Sequence, residues 1–267
     1  MKDYLSVKEF AKLSGIESTT LRYWDGIGLF SPAYRAPDNN YRYYVPQQII
    51  AVNFITVMSA LNVPLKTIGE VDAGRDPEKI LELIEQQERM LDREMRRLQE
   101  CYAVIHIRSE LITGGLKIDE SEISVTEQPE RAMVRGPRNR FKEDDKFYEP
   151  FMNFCRQAEE LRVNLNLPVG TIYDGMESFL KVPEEPNYFF SLDPCGNRKL
   201  EGGPHLVGYY RGNYGEFGDL PGRMAAYADA HGLKCAGAPY AICLHDEICV
   251  KDPSRYLVQV AVPVAKE

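Results

Sequence analysis

Apolar residues recur along this chain with three different periods, and the longest-running one is a repeat of seven. Between Pro77 and Thr113 the residues Ile84, Leu91, Leu98, Ile105 and Ile112 are spaced by sevens, and a companion row three residues earlier reads Leu81, Glu88, Met95, Tyr102 and Ser109. A seven-residue apolar repeat sustained over four to five turns of the pattern predicts a helix that pairs with another helix. At 1.5 Å per residue the helix would be about 55 Å long, more than a small domain needs for its own core. The expected partner is a second copy of the chain; the plainer alternative is a helix packed along one domain.

Before this helix the pattern is short and helical. Ser6 followed by Glu9 makes a capping box, Val7, Phe10, Ala11 and Leu13 form one apolar face, and Ser14-Gly15 stops the helix. Ser18 is the expected N-cap of a second helix through Leu21, Arg22, Tyr23 and Trp24. Two short helices about a glycine-containing turn predict a helix-turn-helix, whose second helix enters a DNA major groove. Pro37-Asp38-Asn39-Asn40 then signals a turn ahead of the alternating run Tyr41-Arg42-Tyr43-Tyr44, a β-wing. Further helices are expected after Pro46 and near Pro64, with a polar joint from Asp72 to Pro77.

After Leu116 the period becomes that of strands. Alternating or apolar runs at 122–128, 131–135, 169–173, 188–192, 206–211, 240–243 and 256–264 predict an antiparallel sheet. Helical spacing at 146–163 and 223–230 places two helices over it. The fold class expected is α+β, with a mostly α winged helix-turn-helix at 1–75, a coiled-coil helix at 76–115 and an antiparallel-sheet domain at 116–267.

Charge refines this division. The net charge of −8 argues against indiscriminate nucleic-acid binding, yet residues 1–75 carry 8 Lys/Arg against 7 Asp/Glu while residues 118–267 carry 17 against 24. The acidic half favours a cationic or amphipathic ligand, and it holds 17 of the 27 Phe and Tyr residues, whose rings suit planar or cationic compounds. Six cysteines are scattered without a C-x-x-C, so neither a disulfide framework nor a metal site is expected. No cofactor is called for. With no run of 18 apolar residues and no signal-peptide core, the expected location is the cytoplasm, in association with the nucleoid, with no membrane partner.

Several motifs carry a resemblance. Leu21-Arg22-Tyr23-Trp24-Asp25, Gly28-Leu29 and Asn40-Tyr41-Arg42-Tyr43-Tyr44 resemble the L-R-Y-Y-[DE], G-L and Y-R-x-Y pattern of MerR-family transcription regulators over residues 4–72. The run Leu206 to Tyr214, Gly232, Gly237-Ala238-Pro239-Tyr240, Asp252-Pro253 and Val262-Pro263-Val264 resembles the GyrI-like small-molecule-binding domain. Joined, they resemble multidrug-responsive activators. The resemblance implies a homodimer zipped by Ile84, Leu91, Leu98, Ile105 and Ile112. The dimer would bind double-stranded promoter DNA with an overlong spacer and, on binding a small-molecule effector, bend and untwist it so that RNA polymerase engages.

Carried over by position, Arg22, Tyr23 and Trp24 belong to the recognition helix, Tyr41 and Arg42 to the wing, and Lys66 to a second wing. Trp24 stands where Tyr is commoner, and its indole serves either a phosphate or the core. Tyr148, Phe217, Tyr240 and Tyr256 match pocket aromatics. The expected Tyr-Glu pair stands as Tyr240-Ala241, so its carboxylate is absent and Glu177 or Glu247 would have to supply the counter-charge. The rival function is a GyrI-like hydrolase acting on electrophilic small molecules, which the missing Glu disfavours because the general base is gone.

Overall fold

The computed structural model describes residues 4–74, 76–141, 148–161 and 164–266. The chain packs as two compact units, residues 1–96 and 97–267.

In the first unit, β1 (Leu5–Ser6) leads into α1 (Val7–Ser14), followed by α2 (Ser18–Gly26), β2 (Tyr34–Arg35), β3 (Arg42–Tyr44), a 3-10 turn at Pro46–Gln48, α3 (Ile49–Ala60), α4 (Leu65–Gly74) and the start of α5 (Pro77–Gly115). The capping box forms as expected: Ser6 N donates to Glu9 Oε2 at 2.8 Å and Glu9 N to Ser6 Oγ at 3.3 Å. Gly15 ends α1 at φ +70°, a conformation that costs a residue without Cβ nothing. The N-cap of α2 is Glu17 rather than Ser18, without a side-chain capping bond. Antiparallel β1, β3 and β2 form the wing sheet. Stacked rings of Phe10, Phe30 and Tyr44, 4.7 to 6.0 Å apart, centre a core that includes Leu21, Trp24, Ile55, Ile68 and Leu83.

The second unit contains the remainder of α5, then β4 (Ile123–Gln128), β5 (Arg131–Arg138), α6 (Tyr148–Arg156), α7 (Ala158–Leu161), β6 (Val169–Ile172), α8 (Met176–Lys181), β7 (Tyr188–Ser191), β8 (Arg198–Leu200), β9 (Gly203–Arg211), α9 (Leu220–Ala230), β10 (Leu233–Cys235), β11 (Tyr240–His245), a 3-10 turn at Pro253–Arg255 and β12 (Leu257–Lys266). The helix expected over 146–163 is divided at Gln157 into α6 and α7, and 146, 147, 162 and 163 lie outside the described residues. The strands form one curled antiparallel sheet in the order β4-β9-β12-β11-β6-β7-β5-β8, with β10 on β12. Irregularities between Arg135 and Arg138 and between Cys243 and His245 bend it.

Each strand divides its residues between two faces. On one, Ile172, Phe190, Tyr240, Ile242, Leu257 and Ala261 pack against Ile107 and Leu111 of α5. On the other, Leu206, Ala241, Val260 and Val262 meet Phe179 of α8, Phe217, and Leu220 and Met224 of α9. Gly208 lets α9 approach β9: a Cβ there would stand 2.7 Å from Leu220 Cδ1.

Candidate functional site

The inward residues of α2 are Leu21, Trp24 and Asp25, all buried, which leaves Arg22 and Tyr23 on the opposite, exposed face. That split is the i, i+3, i+4 geometry of a helix with one face in a core. Trp24 is only 5% exposed and packs into the core of the first unit, in line with the core reading of its two alternatives. The wing shows Tyr34 and Tyr41 to solvent, with Tyr43 between them at ring distances of 6.0 and 5.3 Å. Lys66 projects into solvent, 3.8 Å from Glu70.

Arg42 is differently placed from a free phosphate arm. Its Nε donates to Asp25 Oδ2 at 2.6 Å, and Arg35 Nη2 donates to both Asp25 oxygens at 2.6 Å. The Asp25 side chain is 1% exposed, whereas those of the two arginines are 31% and 38% exposed. The carboxylate thus ties the recognition helix to both strands of the wing. The signal in the sequence was an acid at a core-facing position of α2, which requires a cationic partner; Arg35 was not singled out.

Along α5 the heptad row is half-buried at its ends and open in between. Ile84 packs against the first unit's core and Ile112 is half-buried, while Leu91, Leu98 and Ile105 are 43%, 53% and 69% exposed. Met95 and Tyr102 of the companion row are also exposed. Among the described residues nothing covers the middle of this ridge.

The second unit contains a cavity of about 330 Å³, a size ordinary for small-molecule sites. Its floor is the sheet face carrying Thr171, Ala241, Cys243 and Val258, where Thr171 pairs with Ala241 and Cys243 with Val258. Its walls are Phe151, Leu165, Leu167, Val169, Phe189 and Phe217. Its rim carries Tyr214, Glu216, Asp246, Glu247 and, from α5, Arg108. Arg108 Nη1 meets Asp246 Oδ2 at 2.6 Å. Among the described residues no cation pairs with Glu216, which accepts from Asn213 N at 3.0 Å, or with Glu247, which accepts from the Tyr214 hydroxyl. Burial, then the bond to Glu247, pushes the Tyr214 hydroxyl well above its usual range.

The cavity therefore includes Phe217 and Glu247 of the expected residues. Tyr240 is a core residue instead, because alternation sends it to the α5 face, 5.7 Å from the ring of His205, while its neighbour Ala241 lines the cavity. Burial lifts its hydroxyl to about 12. Tyr256 is buried behind Tyr214, at a ring distance of 5.1 Å, and does not line the cavity. Glu177 is exposed on α8 away from it. Tyr148 opens α6, and its side chain lies outside the described residues. Glu216, Asp246, Arg108 and Thr171 were not singled out from the sequence.

Cys243 tests whether the floor is dry. Burial, reinforced by Asp246 and Glu247, holds its thiol up at about 12, and the reactive species is the thiolate. Iodoacetamide at pH 8 is expected to label exposed Cys195 and Cys249 and to spare Cys243. Equal labelling of all three, read by peptide mass spectrometry, would show an open floor.

Residues 5–74 match the family model for MerR HTH family regulatory proteins. The chain is 24% identical over 255 residues to the multidrug-efflux transporter 2 regulator of Bacillus subtilis, covering 94% of this chain and 92% of that one. It is 30% identical over 133 residues to the transcriptional regulator BrlR of Pseudomonas aeruginosa, 49% of each chain. Among solved structures, a cryo-EM structure of an EcmrR–DNA complex aligns over 98% of this chain and 100% of that chain, at 16% identity and a TM-score of 0.41.

Proposed function

We propose that the chain, whose residues 5–74 match the MerR HTH family model, is an effector-responsive transcription activator of that family, with a C-terminal effector domain of GyrI type, working as a homodimer. Residues 1–75 read DNA, 76–115 hold two copies together and 116–267 bind the effector. Arg22 and Tyr23 face base edges, Tyr41 and the Arg35–Arg42 pair follow phosphates, and Lys66 adds a second phosphate contact. The name of the Bacillus subtilis relative suggests that the promoter served is that of an exporter gene. RNA polymerase engages once the dimer has bent and untwisted an overlong spacer.

The observation that carries the effector assignment is the cavity itself: apolar, ring-lined walls beneath a rim with two carboxylates that, among the described residues, no cation neutralises. An aromatic amphiphile with a cationic end fits that polarity. The counter-charge absent at Ala241 is supplied by Glu247 and Glu216 at the rim. α5 contributes Arg108 to the same rim and Ile107 and Leu111 to the sheet's other face, so occupancy of the cavity bears directly on the helix shared by both units. For a switch, the effector must favour the DNA-distorting state, by about 1.4 kcal/mol for each tenfold change, and DNA must raise effector affinity by the same factor.

The test uses 4-(2-naphthyl)butylammonium as probe. It is expected to bind the purified protein, and to raise transcription from a long-spacer promoter. Glu216→Gln and Glu247→Gln are each expected to weaken it by roughly fivefold, as an exposed charge pair worth ~1 kcal/mol implies. No binding, or binding that DNA leaves unchanged, would defeat the proposal.

A further inference from the structure

Arg108 and Asp246 meet at the rim of the cavity. Arg108, on α5, is the one cation that lines the cavity among the described residues, and its Nη1 donates to Asp246 Oδ2 at 2.6 Å. The Asp246 carboxylate is held ready for a cation. Its Oδ1 accepts from Ile248 N at 3.0 Å, and its main-chain oxygen accepts from Cys249 N at 2.9 Å and Val250 N at 3.0 Å, so the turn after β11 fixes its direction. Its side chain is 14% exposed, whereas Glu216 and Glu247 are exposed residues, which makes Asp246 the most sheltered acid lining the cavity. A charge pair gains most where water screens it least. With Leu165, Arg108 also borders a second hollow, an open groove lined by Ile105, Ile112 and Ile248. Its guanidinium therefore has room on the side away from the cavity.

We propose that Arg108 is the chain's own occupant of the effector's cation subsite: the ammonium of an aromatic amphiphile binds by taking the place of the guanidinium on Asp246, and Arg108 turns out to the groove. The inference rests on the cavity being the effector site and adds which carboxylate reads the charge there. Burial of the ring system against Phe151, Phe189 and Phe217 drives the exchange. One cation replaces another, so Asp246 is at no stage left sheltered and unpaired, the arrangement that costs most. A neutral ligand of the same shape offers Asp246 nothing in return and leaves the Arg108 pair closed. Selectivity for cations is thus built in as an exchange. Because Arg108 belongs to α5, the same exchange releases one tie between that helix and the turn after β11.

The test compares 4-(2-naphthyl)butylammonium with its neutral counterpart, 4-(2-naphthyl)butan-1-ol, on the full chain. Phenylglyoxal, which modifies accessible guanidinium groups, is expected to label Arg108 several-fold faster when the ammonium saturates the wild type, and no faster with the alcohol, as read by peptide mass spectrometry. A ligand that only sat over the rim would shield Arg108 and slow its labelling. Asp246→Asn is expected to label fast without any ligand and to gain nothing from the ammonium. In calorimetric titrations Arg108→Met is expected to bind the ammonium roughly tenfold more tightly, as loss of an internal competitor for a charge-assisted contact implies. The same variant is expected to bind the alcohol as the wild type does, which also shows that the cavity is intact. Unchanged or slower labelling of the wild type with the ammonium, or an Arg108→Met that binds the ammonium no more tightly, overturns the inference and leaves the effector cavity standing. Failure of the ammonium to bind the wild type at all overturns the effector cavity as well.

Discussion

Leu98→Glu combined with Ile105→Glu is expected to turn the protein into single chains at micromolar concentration and to abolish most operator binding. These side chains are 53% and 69% exposed on α5 and belong to a row whose middle is left uncovered among the described residues. Facing a second α5, each position would be a knob in the partner's surface, and two carboxylates per copy would have to be desolvated in an apolar seam. The fold of each unit is expected to survive, because the contacts that seat α5 use Leu83 and Ile84 at one end and Ile107 and Leu111 at the other. Loss of one head from a two-headed binder removes an avidity factor of roughly 10² to 10⁴. It also halves the number of neutralised phosphates: a dimer with a slope of about −5 in log affinity against log salt becomes a monomer near −2.5. Sedimentation and a salt titration on the same samples settle the matter. A double variant that stays dimeric, or that keeps operator affinity and slope, would remove the ridge from the account of how this protein binds DNA.

What the chain disclosed in advance depended on whether the signal was local. The capping box at Ser6 and Glu9, the Gly15 stop and the turn before Tyr41 are each written within one helical turn or strand and formed, and the long helix under the heptad row formed as α5. Elements too short to show a period, α8, β8 and β10, were missed. The cavity was half legible, for a reason of parity. Tyr240 attracted attention as an aromatic within a motif, but a strand directs adjacent residues to opposite faces, and it is the small Ala241 and Cys243 that leave space over the sheet. Once Ile172, Tyr240 and Ile242 are assigned to the face under α5, the floor follows as Thr171, Ala241 and Cys243. The rim could not be found this way, since Arg108, Glu216 and Asp246 come from separated segments that only tertiary packing unites. The same is true of Asp25, Arg35 and Arg42, which lie far apart in sequence and meet only when the wing packs on α2.

That trio leads to the second large effect. Asp25→Asn is expected to destabilise the first unit by ~2–3 kcal/mol, somewhat below the cost of breaking a fully buried pair because both arginines keep partial contact with water. For a unit this small the melting temperature would fall on the order of 10 °C. The effect on DNA binding is expected to divide by sequence. With Asp25 present the trio carries one net positive charge, and with Asn it carries two, so attraction to any phosphate backbone grows and the non-specific salt slope steepens by up to about 0.9. Specific affinity nevertheless falls, because the wing is no longer fixed to the helix that carries Arg22 and Tyr23. Arg42→Ala gives the contrasting result: Arg35 retains both Asp25 oxygens, stability falls less, and the slope changes by less than a full unit because part of the Arg42 charge was already balanced within the protein. Measuring operator and random-sequence DNA across salt for both variants distinguishes a clamp from a simple phosphate contact. If Asp25→Asn weakened both DNAs equally and left the melting temperature unchanged, the buried carboxylate would have no positioning role, and the specificity of the head would have to reside in Arg22 and Tyr23 alone.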